Sequence, residues 1–337
     1  MKAFILDRYE NKGVLRLGDR PDPVPRDGDV LIEVRAAGLN PVDAKVRDGE
    51  FKPVQPYRMP LVLGHDVAGV IVGVGSKVQR FKVGDEVYAR PRDGRIGTFA
   101  ELIAVDEADV TLKPSNVTME EAASIPLVGL TAWQALVEHA GLVKGQKVLI
   151  HAGSGGVGVF AIQLARHLGA TVATTASGAN VDMVRRLGAD VVVDYRTEDF
   201  AKVLSGYDVV LNSLDAGTLE RSLAVLKPGG KLISISGPPD PAFAKAQGLN
   251  GVLRLVFRLL SRSIRKKAAA RRVDYSFLFM HADGGQLARI TALIEAGAIR
   301  PVLDRTYPFA ELNDALAYVE TGQAKGKVVV TVKKSSQ

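Results

Sequence analysis

The chain has 337 residues, 47% hydrophobic and 24% charged, with a formal net charge of +7. Those values fit a globular protein of about two domains. The absence of cysteine excludes disulfides, thiolate zinc sites, iron–sulfur clusters and a cysteine nucleophile, and it agrees with a reducing cytoplasm, where we expect the protein.

In chain order, MKAFILDRYE is too short in apolar residues for a signal peptide, and Asp7 and Arg8 interrupt it. No apolar run reaches the roughly 20 residues of a membrane-spanning helix. DVLIEVRAAGL, VAGVIVGVG and DEVYA are strand-like runs separated by Gly and Pro breaks. They predict a compact, mostly β domain over residues 1–124. The spacing changes to a helical one in MEEAASIPLVGLTAWQALVEHAGL. KVLIHAG, TVATTAS, VVVDY, DVVLNS and KLISIS then alternate with helix-like stretches. Such alternation predicts βαβ units and a doubly wound parallel sheet, an α/β domain over residues 125–298. YSFLFM reads as a sixth strand and GGQLARITALIEAG as its helix. Residues 299–337 return to short strands around AELNDALAYVETG and rejoin the first domain.

Gly153, Gly155 and Gly158 satisfy G-x-G-x-x-G between a strand and a helix. In that pattern the first glycine permits a sharp turn, the second lets the backbone lie against a pyrophosphate, and the third brings helix and strand close together. The helix N-terminus offers free N–H groups to the phosphates. Gly153, Ser154, Gly155, Gly156 and Val157 are therefore candidates to bind a dinucleotide. A glycine-rich turn without ligand is the plainer alternative. An NAD site usually has an acid about 20 residues on, at the end of the second strand. That place reads TTASGAN, with no acid before Asp182. Ser177 and Asn180 are small donors suited to a 2′-phosphate, with Arg185, Arg186 and Arg196 as sources of charge. NADP is the predicted cofactor. The same two residues could instead simply cap the next helix.

AAGLNPVDAKVRDG (36–49), PLVLGHDVAGVIVGVGSKVQRFKVGDEVYA (60–89), GTFAELIAV (97–105), EEAASIPLVGLTAWQAL (120–136), the glycine turn, LKPGGKLISISG (226–237) and AKGKVVV (324–330) resemble the medium-chain dehydrogenase/reductase superfamily. Within it, the chain resembles the zinc-independent, quinone oxidoreductase-like branch. The resemblance implies a Rossmann-type domain joined to a mostly β, GroES-like catalytic domain, and a homodimer. Zinc alcohol dehydrogenases of the superfamily hold their catalytic metal with two cysteines and the histidine of GHE. Here the first cysteine position is Asn40, the second is missing from IPLVG, and only His65, in GHD, remains. Three protein ligands are needed for a catalytic zinc, so no metal is expected, and His65 is read as structural. The short loop PRDGRIG replaces the four-cysteine lobe.

The resemblance places Asn40 and Asp43, in N-x-x-D-x-x-x-R-x-G, near the reacting end of the cofactor, with loop fixation as their alternative role. Tyr57 could stack on or hydrogen-bond to a flat acceptor, or be a surface loop residue. Family positions further imply Thr131, at the start of the linking helix, as a donor to the nicotinamide ribose. They put Tyr195, at the end of the third strand, against the 2′-phosphate. Leu214, Ser236 and Gly237 would line the nicotinamide half, and Lys327 would reach the cofactor. Without zinc to stabilise an alkoxide, reduction of a quinone or an α,β-unsaturated carbonyl is the easier chemistry. One or two hydrogen-bond donors then suffice for the charge that develops on the carbonyl oxygen.

LNGVLRLVFRLLSRSIRKKAAARR (249–272) steps Arg254, Arg258, Arg262 and Arg265 at about four residues among aliphatic side chains. That predicts a basic amphipathic helix, which could lie on an acidic membrane surface, bind an acidic partner, or simply face water. No nucleic-acid partner is expected, because one Trp and 6% aromatic residues provide no stacking platform. The leading function is an NADPH-dependent quinone or enone reductase. A non-catalytic NADP-binding protein that uses the basic helix for membrane or partner contact is the second, and an enoyl reductase for thioester-linked substrates the third.

Overall fold

The computed structural model describes residues 1–333. The chain divides into two compact units, Met1–Leu130 with the segment from His281 onward, and Thr131–Met280.

The first unit is built on a seven-stranded sheet. Its path runs Leu303–Pro308, Lys327–Thr331, Asp29–Leu39, Asp66–Val74, Glu86–Ala89 and Val110–Leu112, with Leu102–Asp106 also paired to Asp29–Leu39. The long strand alternates as the half-buried pattern requires: Val30, Ile32 and Val34 are buried, while Leu31, Glu33 and Arg35 are half-buried. Leu63, Ile71, Phe99 and Val330 close the core around it. Register has a consequence for the site. Val328 pairs with Leu39, and Gly38 pairs with Asp66. The ends of three strands therefore bring Asn40, Asp66 and Lys327 together, although 287 residues separate the first from the last.

The helix Gly284–Glu295 belongs to this first unit, so the predicted α/β boundary at 298 is corrected to 280. The cause is tertiary: the buried Tyr88 donates its hydroxyl to Leu287 O at 2.9 Å, and a Cβ on Gly284 would meet Val110 O at 2.5 Å. The start of the α/β unit likewise moves from 125 to 131.

The second unit holds six parallel strands in the order Val191–Asp194, Thr171–Ala176, Lys147–Ile150, Tyr207–Asn212, Leu226–Ser234, Asp274–Phe277. Numbered along the chain from Lys147, this is 3-2-1-4-5-6, the dinucleotide-binding order. Val148, Leu149 and Ile150 are fully buried, as a strand covered on both faces demands. Helix Gly156–His167 packs Val159, Phe160, Ile162 and Leu164 inward. The region 249–272 is two helices, Gly251–Leu260 and Arg262–Ala270, rather than one. The break falls at the buried Ser261, whose hydroxyl donates back to Phe257 O at 2.8 Å. Among the described residues, no helix is long and apolar enough to cross a membrane.

Candidate functional site

The strand Lys147–Ile150 runs into a turn whose glycines have different causes. A Cβ on Gly153 would lie 2.0 Å from Thr174 Oγ1, and one on Gly158 2.3 Å from Ala152 O. Packing within the protein alone requires glycine at both. At Gly155 a Cβ would meet only Ala152 O, at an ordinary 3.4 Å, and φ of −81° suits any residue. Nothing in the chain itself requires glycine there, so the open side of that residue fits a ligand pressed against the main chain. Gly155 is also the N-cap of the 12-residue helix, with no side chain bonded to it. Those first N–H groups and the helix dipole suit a diphosphate. Gly156 and Val157 open the helix and are half-buried. Ala152 holds φ at +52°, a strained left-handed conformation for a residue with a Cβ, fixed by its N–H donating to Thr175 Oγ1 at 3.1 Å.

Three predicted cofactor residues meet. Asn180 Nδ2 donates to Ser154 Oγ and to Ser177 Oγ, each at 3.1 Å. Neither Ser177 nor Asn180 makes a side-chain cap on the helices that follow them, which removes their alternative role. One acid does approach this segment, from the next strand: a Cβ on Gly178 would lie 2.7 Å from Asp194 Oδ2. Asp194 Oδ1 accepts the Arg196 N–H at 3.0 Å. Tyr195 lies one residue past the third strand, not at its end, and is exposed, with the Arg196 guanidinium 6.0 Å from its ring centroid.

At the ends of the fourth and fifth strands, Ser236 Oγ donates to Leu214 O at 2.6 Å, and Gly237 N–H donates to Ser234 Oγ at 2.8 Å. These positions, the glycine turn and the 177–180 segment all follow the C-terminal ends of parallel strands, where open α/β sheets bind ligands. Thr131 is buried at the sixth position of helix Pro126–Trp133, not at a helix start; helical spacing locates a helix better than it locates the end. His151, missed in the sequence, supports the turn from below. Nδ1 lies 3.2 Å from Thr175 Oγ1 and Nε2 2.9 Å from Ser222 Oγ. Burial, helped by the charge of Arg221, pushes its pKa down to about 4, so it is a neutral structural group.

The first unit contains a buried polar cluster. Lys327 Nζ donates to Leu39 O at 2.8 Å, to Asn40 Oδ1 at 2.5 Å and to Asp66 Oδ2 at 3.1 Å. Its three protons are thereby used inside this unit. Asn40 Nδ2 donates to Asp66 Oδ2 at 2.8 Å, and Leu127 N–H to Asp66 Oδ1 at 2.7 Å. Asp43 accepts the Asn40 N–H at 2.7 Å through one oxygen and lies 2.6 Å from His65 Nδ1 through the other. Asp66 is the member that sequence reading missed; the D of GHD was the signal. This donor set does not fit zinc. A single imidazole is turned by one nitrogen onto Asp43, and the carboxylate and amide beside it already surround an ammonium ion. Among the described residues no three His, Asp or Glu side chains could together hold a metal ion.

Tyr57 packs half-buried against the core, and its main chain is held at both N–H and C=O by the Tyr9 hydroxyl, at 2.7 and 3.3 Å. Burial, with the charge of Asp93, raises its pKa above the ordinary tyrosine value, so the phenol keeps its proton. The buried Arg90 pairs with Asp93 through Nη2, while Nε and Nη1 have no partner. Sequence reading had treated this loop only as the place of a missing metal lobe.

Comparison with known proteins agrees with this architecture. The pattern of the alcohol dehydrogenase GroES-like domain matches residues 26–115, and that of the zinc-binding dehydrogenase matches residues 187–330. The NADPH-dependent alkenal/one oxidoreductase, chloroplastic, of Arabidopsis thaliana is 37% identical over 98% of this chain and 79% of its own. The chain belongs to the medium-chain dehydrogenase/reductase superfamily, in its quinone oxidoreductase-like branch. It is an oxidoreductase. The quinone oxidoreductase of Coxiella burnetii superposes with a TM-score of 0.85 at 30% identity, over 99% of each chain. A mycobacterial protein complexed with NADPH superposes at 0.81 and 29% identity, over 98% of this chain and all of the other.

Proposed function

We propose that this chain is an NADPH-dependent reductase that passes hydride to quinones or α,β-unsaturated carbonyls without zinc. The reading is carried by the Lys327 ammonium, engaged with Asp66 and with Asn40, the residue that stands at the first cysteine position of the metal-dependent pattern. NADPH, when bound, supplies the hydride. The chain's own residues bind and orient. The helix start at Gly155–Val157 would hold the diphosphate, and Ser154, Ser177 and Asn180 the 2′-phosphate. Thr131, Tyr195, Leu214, Ser236 and Gly237 are the remaining cofactor candidates. Lys327, Asn40 and Asp43 act by fixing the loop that follows the strand Asp29–Leu39. Tyr57, kept neutral, and the unpartnered Nε and Nη1 of Arg90 are the donors suited to a carbonyl oxygen that gains charge.

Following NADPH oxidation against a one-ring quinone, a two-ring quinone and a long-chain 2-alkenal tests this. Turnover of at least one acceptor is expected, with NADH at least about tenfold poorer in kcat/KM. NADPH binding without oxidation of any acceptor would overturn the reductase reading. Equal use of NADH would overturn the 2′-phosphate assignment.

A further inference from the structure

The helix Gly251–Leu260 turns its apolar stripe to solvent. Val252, Leu255, Val256, Leu259 and Leu260 are 73, 54, 40, 56 and 58% exposed. Their spacing is i, i+3, i+4, i+7, i+8, the pattern of a helix face that normally packs on a core. Elsewhere among the described residues no stretch of nine holds more than two exposed large apolar side chains. The helix is nevertheless anchored. Phe257 is buried, its ring 5.8 Å from that of Phe243, and Ile264 and Ala268 of the second helix enter the core. Asn250 caps its start by accepting the Leu253 N–H at 3.0 Å. The stripe spans roughly 140° at the helical period, and Arg258 and Arg254 flank it, about 60° and 100° beyond its edge at Leu255 at that period, both exposed.

Charge is concentrated here as well. Between Asp240 and Asp274 there are nine Lys or Arg residues and no Asp or Glu. The whole chain carries +7, so this segment's +9 leaves −2 for everything else. The basic character of the protein is therefore local to this segment, which contains the helix that bears the stripe.

We infer that these helices dock the protein on the surface of an anionic lipid bilayer. The aliphatic stripe enters the headgroup–acyl boundary, and the arginines meet lipid phosphates and carboxylates. The observations favour lipid over the other polyanions. A nucleic acid would match the charge and leave the aliphatic stripe in water, with no exposed aromatic ring on it for base stacking. A second copy in a two-fold contact would match the stripe and bring together two segments that each carry nine cations and no acid.

Flotation of the full-length protein with vesicles tests the inference, without NADPH or acceptor, so the result is independent of the reductase reading. On phosphatidylcholine vesicles with about 30% phosphatidylserine, binding is expected to exceed that on pure phosphatidylcholine by at least about tenfold. It should fall by about fivefold or more in about 0.5 M salt. Two double variants separate the contributions: Leu255→Ser with Leu259→Ser, and Arg254→Glu with Arg258→Glu. All four positions are exposed, so both proteins should melt like the parent, and each should lose about tenfold or more in vesicle binding. Failure of the parent to float, binding indifferent to anionic lipid, or variants that bind like the parent would overturn the inference. So would tighter binding to single-stranded RNA than to vesicles, or a self-association that the leucine variant abolishes while the parent ignores vesicles.

Discussion

The two polar centres of this protein differ in what they leave open. The cluster of Asn40, Asp43, His65, Asp66 and Lys327 is closed upon itself: no atom of it is among the described buried side-chain atoms lacking a partner. The glycine turn at 153–158 is the reverse. Its helix start carries no side-chain cap, Ala152 is held in a strained conformation, and Gly155 leaves room that no protein atom fills. A closed centre stabilises the fold and fixes a loop. An open one is prepared for a ligand. Substitutions in the first should therefore change stability, and those on the open side of the second should change cofactor binding.

The largest effect is expected at Lys327. Lys327→Met strands the buried Asp66 carboxylate and should lower unfolding free energy by about 3–5 kcal/mol, read by urea titration. Adding Asp66→Asn should recover part of the loss. A change below about 1 kcal/mol would mean that the centre is not closed.

His151 comes next. Its folded pKa, about 4, lies below the ordinary 6.5, so its contribution is fully present above pH 6.5 and is lost as the pH falls from there toward 4. Over that window the unfolded chain takes up a proton that the folded chain refuses. The change amounts to about 3 kcal/mol. His151→Gln should flatten that part of the stability–pH curve, and an unchanged curve would contradict the buried neutral assignment.

The smallest pair sharpens the contrast within one turn. Gly155→Val should weaken NADPH binding by roughly 100-fold, about 2.7 kcal/mol, with stability lowered by no more than the roughly 1 kcal/mol preference of an N-cap for glycine over valine. Gly158→Ala should instead cost about 1–3 kcal/mol of stability, because its Cβ meets main-chain atoms. If both variants lost only stability, the open side of Gly155 would have no ligand to serve.

Much of the α/β unit was legible because its signals are local. Strand patterns, the glycine spacing and the missing acid at 174–180 all lie within short windows, and Ser177 and Asn180 were singled out from them; their contact came only with the fold. The buried cluster was only partly legible: Asn40, Asp43 and Lys327 came from family resemblance, and Asp66 was passed over. It depends on the register of strands far apart in sequence, which no periodicity reports. The helix Gly284–Glu295 was placed in the wrong unit for a related reason. Its pattern told that it was a helix, while the Tyr88 hydroxyl decided where it docks. Thr131 was displaced from a helix start to a helix interior because MEEAASIPLVGLTAW contains two helices, Met119–Ala123 and Pro126–Trp133.

The central claim is that hydride transfer here needs a phosphorylated nicotinamide and no metal. The direct test is NADPH oxidation with an enone or quinone acceptor, measured on protein stripped by a strong chelator and assayed for bound zinc. The account predicts unchanged kcat/KM with zinc far below one ion per chain. Activity that disappears on stripping and returns with added zinc would contradict it.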